Sequence, residues 1–359
     1  MDLPYAQHHR GHDLCGHGLP LLPVHRRHVD PDGTRLRIAK GDSELDLWRH
    51  VALRALGLIV LGVILANAGK VDVDATGIGG RTWMLLALAG ALLFWNRYPA
   101  HARYRPLFLA LKLLGAGLMV AMLLIFRRVA GAGEVRWLDL TYWEILGMIG
   151  WTYLGVSILY LPTRRWRWSA GAWFVALSAL NVLCAAQWTT LPYHAPYYLW
   201  PLKSGAAASL VMAGIFTSTL VLGDAFPLAS PRRTVWAVAM AVLLLIAAAA
   251  CAPLGISKAS ATPTYTLICA AAAILVFIAL HWICDVHRRI RWAAFARPAG
   301  SNTLLTYLLP DLTFAITGAA VLCTRWDHGW PGVLQACLFT ALMVAVTALL
   351  TRCSVRIQL

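Results

Sequence analysis

The segment PLFLALKLLGAGLMVAMLLIF, residues 106–126, carries a single charged side chain, Lys112. A helix that crosses a bilayer needs about 20 mostly apolar residues, so this segment predicts a membrane span. The whole chain agrees with it, since 59% of the 359 residues are hydrophobic, 13% are charged and the mean hydropathy is +0.64. Soluble domains carry about 45–50% apolar and about 25% charged residues. The composition therefore predicts an integral membrane protein and leaves no room for a large soluble domain.

Nine further apolar runs extend this prediction to an all-α fold, a polytopic transmembrane helix bundle with about ten spans. The ten runs cover residues 51–68, 82–95, 106–126, 142–161, 168–187, 205–223, 235–254, 265–284, 302–323 and 332–350. The second run has only about 14 residues, a length as typical of a re-entrant or interfacial segment as of a span. Its status decides the topology of everything that follows it.

Positive charge favours counting the short run as a span. With ten spans, eighteen of the Lys and Arg residues from Arg35 onward fall on the side that holds both termini, and eight fall on the other side. Lys and Arg are retained in cytoplasmic loops, so this bias predicts a multi-pass protein of the plasma (inner) membrane with both termini in the cytoplasm. The net charge of +15 is then explained by basic loops that face anionic membrane lipid. No nucleic acid is predicted as a partner.

Residues 1–40 differ from the rest, because they hold six of the twelve histidines and show no apolar periodicity. A histidine-rich metal site is one interpretation, but no carboxylate or thiol recurs at ligand spacing, so we predict no metal. A second hypothesis is a frameshift near the start of the gene. With suitable codons, a shift of one base turns residues 11–35 into a membrane span that begins G-M-T-C-A-D-M-V-F-P-F-F. An intact reading frame in independent DNA sequencing would refute this hypothesis.

A known family is indicated by several segments in order. The clearest is residues 295–312, FARPAGSNTLLTYLLPDL, which has the pattern P-x-G-x-N-[ST]-x-L-x-Y at a predicted helix start. Five more segments contribute: 48–67, 142–153 (YWEILGMIGWTY), 200–223, 255–263 (GISKASATP) and 282–286 (WICDV). Together they resemble the heparan-alpha-glucosaminide N-acetyltransferase family of transmembrane acyltransferases over roughly residues 40–359.

Two departures from the family pattern bear on the N-terminal segment and on the early helices. The Gln-Arg pair that is usual in the segment at 142–153 is absent, and the family's first helix is missing. The second helix is present only in the shifted frame, whose string resembles the most recognisable sequence of the family. We therefore divide the chain into an aberrant or disordered segment at 1–40 and a multi-pass transmembrane acyltransferase-like domain at 41–359.

The resemblance implies that cytoplasmic acetyl-CoA, as co-substrate, supplies an acetyl group to an amino sugar or another envelope saccharide. Family members carry a catalytic His just before the G-x-T-x-A-D string, where this chain has His8 and His9, and either could be the counterpart. Imidazole can serve as a base or an acyl acceptor near neutral pH. Asn302 would hold the thioester carbonyl or the pantetheine amide, since a carboxamide both donates and accepts, or it would be a helix N-cap.

Several charged side chains are candidates for the path through the membrane. Asp311 lies about ten residues into a span, where a carboxylate is either catalytic or paired with Lys112 or Arg54. Those two cations would face the CoA phosphates or extend to the membrane interface. The basic loop after the eighth run would bind the CoA phosphates through guanidinium groups or merely follow the charge bias. Its candidate residues are Arg288, Arg289 and Arg291.

Two further residues are predicted to contact the acceptor. Lys258, in an outer loop, either binds an acidic sugar or flanks a helix, and Asp285 either orients a substrate group or pairs with Arg288 or Arg289. A non-catalytic alternative is a transporter for a sugar or a lipid-linked intermediate, for which intramembrane polar residues would also serve. A third interpretation is an inactive, N-terminally damaged acyltransferase. The sequence leaves a homo-oligomer open.

Overall fold

Ten apolar helices make up most of the computed structural model, which describes residues 43–99, 102–141, 143–189, 200–222, 230–318 and 328–359. The ten helices are α1 (Glu44–Asn67), α2 (Gly80–Trp95), α3 (Arg105–Ile125), α4 (Glu144–Thr163), α5 (Ser169–Ala185), α6 (Ala206–Val221), α7 (Ser230–Ala250), α8 (Pro263–Leu280), α9 (Thr303–Thr317) and α10 (Gly329–Arg352). The predicted segment at 1–40, with His8 and His9, lies outside the described residues.

Shorter elements connect these helices within the described residues. The helical turns are Ala68–Lys70, Val73–Thr76, Ala102–Tyr104, Gly131–Gly133, Trp200–Lys203, Ala252–Leu254, His281–Val286, Arg291–Ala296 and Arg297–Ser301. Two short antiparallel strands, β1 (Arg128–Val129) and β2 (Val135–Arg136), form a hairpin between α3 and α4. The prediction of an all-α helical bundle is confirmed.

Among the described residues, six helices are long and apolar enough to cross a membrane: α1 extended to Lys70, α3, α4, α7, α8 extended to Val286, and α10. The remaining four, α2, α5, α6 and α9, are apolar but have 15 to 17 residues. At 1.5 Å per residue, helices of that length fall short of the roughly 30 Å hydrocarbon core. The architecture fits a membrane protein, whereas the predicted count of ten spans is not confirmed.

Glycines allow two pairs of helices to approach closely. A Cβ atom at Gly62 of α1 would lie 2.3 Å from the backbone nitrogen of Gly147 and 2.5 Å from the carbonyl oxygen of Trp143. The backbone of α4 therefore contacts α1 at a residue of α1 that has no side chain. A Cβ atom at Gly90 of α2 would lie 2.8 Å from the carbonyl oxygen of Gly115 in α3. Small residues at such contacts are typical of helix packing in membranes, where apolar area alone does not drive association.

The buried side chains form two main cores that α4 and α6 connect. One core joins α1, α2, α3, α9 and α10, and its fully buried members include Leu61, Ile64, Trp83, Leu88, Leu305 and Leu308. The indole N–H of Trp83 donates to the carbonyl of Met122 at 2.6 Å and links α2 to α3. The other core joins α6, α7 and α8 through alanines and aliphatic residues. A smaller cluster packs α4 and α5 on α6.

Contacts at both ends of the bundle show that α1 and α4 run in opposite directions. Glu44, which begins α1, pairs with Arg164 just after α4 at 3.1 Å. Asn67, which ends α1, is hydrogen-bonded to Asp139 just before α4. We call these two sides the Glu44 end, which also holds residues 95–99, 102–105, 281–302 and 353–359, and the Lys70 end, which also holds residues 126–141, 143 and 144.

Candidate functional site

Asn302 is buried and its carboxamide is engaged by the C-terminal tail. Its two amide N–H groups donate to the hydroxyl of Thr351 at 3.1 Å and the carbonyl of Val355 at 2.9 Å, and its oxygen accepts from the N–H of Ile357 at 3.2 Å. Asn302 is the residue at the N-cap position of α9, but its side chain makes no capping bond to the helix, so the predicted role as a side-chain cap is wrong. To bind a thioester carbonyl, Asn302 would have to give up one of its hydrogen bonds to Thr351 or Val355, because both of its amide N–H groups already donate.

The same tail is paired with the segment that follows α2. The N–H of Arg97 donates to the carbonyl of Arg356 at 2.8 Å, and the N–H of Gln358 donates to the carbonyl of Trp95 at 3.1 Å. Asn302 therefore fixes a short strand-like contact between residues 95–97 and 355–358 at the Glu44 end. This arrangement gives Asn302 a structural task that its position at a helix start does not reveal.

Asp285 pairs with a histidine instead of an arginine. Its carboxylate lies 2.8 Å from Nδ1 of His281, one turn earlier in a π-helical turn, so the predicted pairing with Arg288 or Arg289 is wrong. The reason is local geometry, because residues four apart share one helix face, whereas the chain turns away at Arg288, whose φ is 54°. Arg288, Arg289 and Arg291 are all exposed at the Glu44 end.

The other predicted cations belong to different elements of the fold. The guanidinium of Arg54 stacks over the ring of Tyr153 in α4, with 5.2 Å between the guanidinium carbon and the ring centroid. Lys112 is exposed on α3, and Lys258 is exposed in the loop before α8 at the Lys70 end. Among the described residues no ion pair joins Asp311 to Arg54 or Lys112, so the predicted partners of Asp311 are wrong.

Asp311 instead belongs to a polar cluster between α4 and α9, formed with Glu144 and Tyr307. The hydroxyl of Tyr307 donates to a carboxylate oxygen of Glu144 at 3.1 Å, and Asp311 interacts electrostatically with Glu144. Tyr307 and Asp311 are four residues apart, so they share one face of α9. We call these three side chains the carboxylate cluster.

Glu144 is held in an unusual backbone conformation. Its φ of 55° lies in the left-handed region, which residues other than glycine rarely adopt, and its carboxylate accepts from the N–H of Ile145 at the start of α4. Such conformations cost roughly 1–3 kcal/mol and persist where the surrounding structure fixes them, often at functional sites. The helix start thus turns the carboxylate back toward α9.

The chemistry of the carboxylate cluster follows from its composition. Two carboxylates that act on each other electrostatically at a partly buried position both attract a cation, since the Coulomb energy grows as the surroundings become less polar. A carboxylate can also remove a proton from a bound group, and a phenol can donate a hydrogen bond to it. The cluster is therefore suited to binding a protonated amine or a small cation and to accepting a proton.

A second polar group covers the Lys70 end next to α4. Asp139 is buried, accepts from Lys70 at 2.7 Å and from the hydroxyl of Thr141 at 2.5 Å, and lies 3.8 Å from Arg128. Burial alone would raise the pKa of the Asp139 carboxyl, but hydrogen bonds from Lys70 and Thr141 and the Lys70 charge hold that pKa well below its usual range. With the fully buried Asn67, this network fixes the loop that leads into Glu144.

Sequence reasoning missed Glu144 and Tyr307. Glu144 is a carboxylate at the start of an apolar run, and Tyr307 is an aromatic residue near the start of another, which was the available signal. In the described part of the chain, no group of three or more His, Cys, Asp or Glu residues is arranged to hold a metal ion.

Comparison with known proteins adds no relative. No family model, no curated protein and no solved structure matches this chain.

Proposed function

We propose that this chain is a transmembrane acyltransferase that moves an acetyl group from cytoplasmic acetyl-CoA to an amino sugar or another envelope saccharide. The observation that carries the proposal is the carboxylate cluster. It joins two segments that resemble the same family, 142–153 and 295–312, although 163 residues separate Glu144 from Tyr307. The chemistry-bearing side chains of both segments thus meet at one place.

The cluster supports an amine acceptor in particular. An amino sugar is protonated near neutral pH, so its ammonium group is attracted by Glu144 and Asp311. Asp311 takes a proton from the ammonium, and the free amine attacks the thioester carbonyl. The carbon–sulfur bond then breaks and a second proton passes from the nitrogen to the sulfur, so that CoA leaves as the thiol and the amide is formed. Tyr307 orients Glu144 through its hydrogen bond. His8 or His9 stays the predicted acyl acceptor or base.

The orientation that we propose places the Glu44 end in the cytoplasm and the Lys70 end on the outer side of the plasma membrane. The charge bias supports it, since the Glu44 end holds the arginine loop and the arginines after α4. Glu144 begins α4 at the Lys70 end, so the carboxylate cluster would lie nearer to the outer face. The acyl donor would arrive from the Glu44 end.

The experiment is an acetyl-transfer assay on membranes that contain the chain, given radiolabelled acetyl-CoA and glucosamine. Asp311→Asn and Glu144→Gln should each lower the rate about 10²–10⁴-fold, the usual contribution of a positioned acid or base. Glu134→Gln is the matched control, because Glu134 is an exposed carboxylate that pairs with Arg136. Full activity of both cluster variants at equal expression would refute the proposal. Running the frame-restored gene in parallel tests whether the chain as written is a damaged acyltransferase.

A transporter is the second candidate, and the same carboxylates favour it. Carboxylates within a membrane bundle often mark the path of an ion or a substrate. Uptake of labelled sugar into vesicles without acetyl-CoA, lost in Asp311→Asn, together with no acetylated product, would favour transport over acyl transfer.

A further inference from the structure

A cavity of about 290 Å³ opens at the Glu44 end, between the start of α1 and the end of α4. It is separate from the carboxylate cluster, which begins at the opposite end of α4. The side chains that line it are Glu44, Trp48, Leu161, Pro162, Arg164 and Arg165. The cavity thus has two guanidinium groups, one carboxylate and an apolar wall.

The charges of this cavity favour an anion. Arg164 has a side chain that is 19% exposed and pairs with Glu44, whose side chain is 71% exposed. An ion pair with so exposed a carboxylate is worth about 0–1 kcal/mol, so an incoming anion can replace the carboxylate at little cost. Arg165 makes no ion pair with any described residue and is exposed beside the cavity. Two guanidinium groups therefore face the cavity with only one exchangeable carboxylate between them.

The shape of the guanidinium group indicates which kind of anion would fit the cavity. Its planar fork donates two parallel hydrogen bonds, which match the oxygens of a phosphate group, and it loses little of its charge at any pH of interest. The apolar wall indicates the chemistry of the rest of the ligand. Trp48 presents a half-buried indole and Leu161 is 4% exposed, so a ligand with an organic part beside its phosphate would be covered better than inorganic phosphate.

We propose that this cavity binds a phosphate ester, with the phosphate held by Arg164 and Arg165 and the organic part against Trp48 and Leu161. Two sources share this chemistry: the headgroup of an anionic phospholipid at the membrane surface and a soluble nucleotide phosphate. The second source deepens the proposed function and rests on it, since acetyl-CoA carries a phosphorylated nucleotide. The first source is independent of it.

The experiment measures binding to the full chain in phosphatidylcholine nanodiscs. One arm titrates radiolabelled adenosine 3′,5′-bisphosphate, and the other measures quenching of tryptophan fluorescence by brominated phosphatidylglycerol added to the disc lipid. The variants are Arg165→Gln, Arg165→Lys and the double variant Arg164→Gln/Arg165→Gln. Arg136→Gln is the control, because Arg136 is an exposed arginine at the opposite end.

The double variant should weaken binding at least tenfold in one of the two arms, and Arg165→Lys should retain more binding than Arg165→Gln. A loss in the nucleotide arm identifies a soluble ester, and a loss in the lipid arm identifies a headgroup. Binding that is absent in both arms, unchanged in the double variant, or equally lowered by Arg136→Gln would overturn the proposal. Asp311→Asn should bind as the unmodified chain does, so failure of the proposed function leaves this readout unaffected.

Discussion

Replacing Gly62 with alanine should destabilise the bundle, because α1 and α4 touch at that residue. The added Cβ atom would lie 2.3 Å from the backbone nitrogen of Gly147, 2.5 Å from the carbonyl oxygen of Trp143 and 2.6 Å from the Cα atom of Gly147. All three neighbours are backbone atoms that cannot rotate away. Ordinary contact of a Cβ atom begins at 3.4 Å, so the two helices must separate by about 1 Å at this point.

The magnitude follows from the cost of overpacking. An extra methyl group in a well-packed interior costs about 1–3 kcal/mol, because side chains and backbone must shift. At about 2.1 cal/mol/K of unfolding entropy per residue, that loss lowers the midpoint temperature of a 359-residue chain by roughly 1–4 °C. Gly214→Ala is the matched control in α6, since nothing lies within 4 Å of its added Cβ atom. An alanine in place of a helical glycine is neutral or stabilises by about 0.5–1 kcal/mol.

The assay heats detergent-solubilised protein and measures the fraction that stays monodisperse on size-exclusion chromatography. Gly62→Ala should lose monodispersity at a lower temperature than the unmodified chain, and Gly214→Ala should not. A Gly62→Ala variant as stable as Gly214→Ala would refute the close approach of α1 and α4 and the packing derived from it.

Two other predictions concern the ends of the bundle. Asp139→Ala should lower the unfolding free energy by about 1–3 kcal/mol at pH 7, since it leaves buried donors without their acceptor, whereas the exposed Glu134→Ala should cost less than about 0.5 kcal/mol. Because the pKa of Asp139 is depressed in the folded chain, Asp139→Ala should lose its full stabilisation at pH values above the ordinary Asp pKa of about 3.9, and less of it at lower pH. Equal losses of unfolding free energy in Asp139→Ala and Glu134→Ala would contradict this prediction. Asn302→Ala should accelerate amide hydrogen exchange in residues 353–359 at least tenfold, measured by mass spectrometry, and unchanged exchange would contradict the anchoring of the tail.

The positions of the helices could be predicted from the sequence because each apolar run is long compared with its connections. The run at 106–126, for example, becomes α3 at Arg105–Ile125. The run at 302–323 shows where this reasoning fails. Its helix ends at Thr317, because Gly318 adopts a φ of 78° and its N–H closes the last turn on Phe314. Apolar composition continues past that glycine, so hydropathy alone does not locate the end of the helix.

The polar contacts were harder to predict, and sequence separation explains the difference. The spacing of four between His281 and Asp285 is visible in the sequence, although the sequence analysis paired Asp285 with Arg288 or Arg289 instead. Asn302 is held by residues about fifty positions later, and Glu144 by Tyr307 at a greater distance still. Such pairs depend on which helices pack together, and hydropathy does not encode the order of packing.

The close contact between α1 and α4 also belongs to the proposed site. Gly62 faces the carbonyl of Trp143, the residue before Glu144, so a shift of α4 at this contact moves the Glu144 carboxylate relative to α9. Gly90 and Gly115 also make a close contact, between α2 and α3, and neither helix carries a residue of the carboxylate cluster. Gly62→Ala should therefore reduce acetyl transfer per folded molecule, while Gly90→Ala should reduce only the amount of folded protein. Equal activity per folded molecule in the two variants would show that the α1–α4 contact does not influence acetyl transfer.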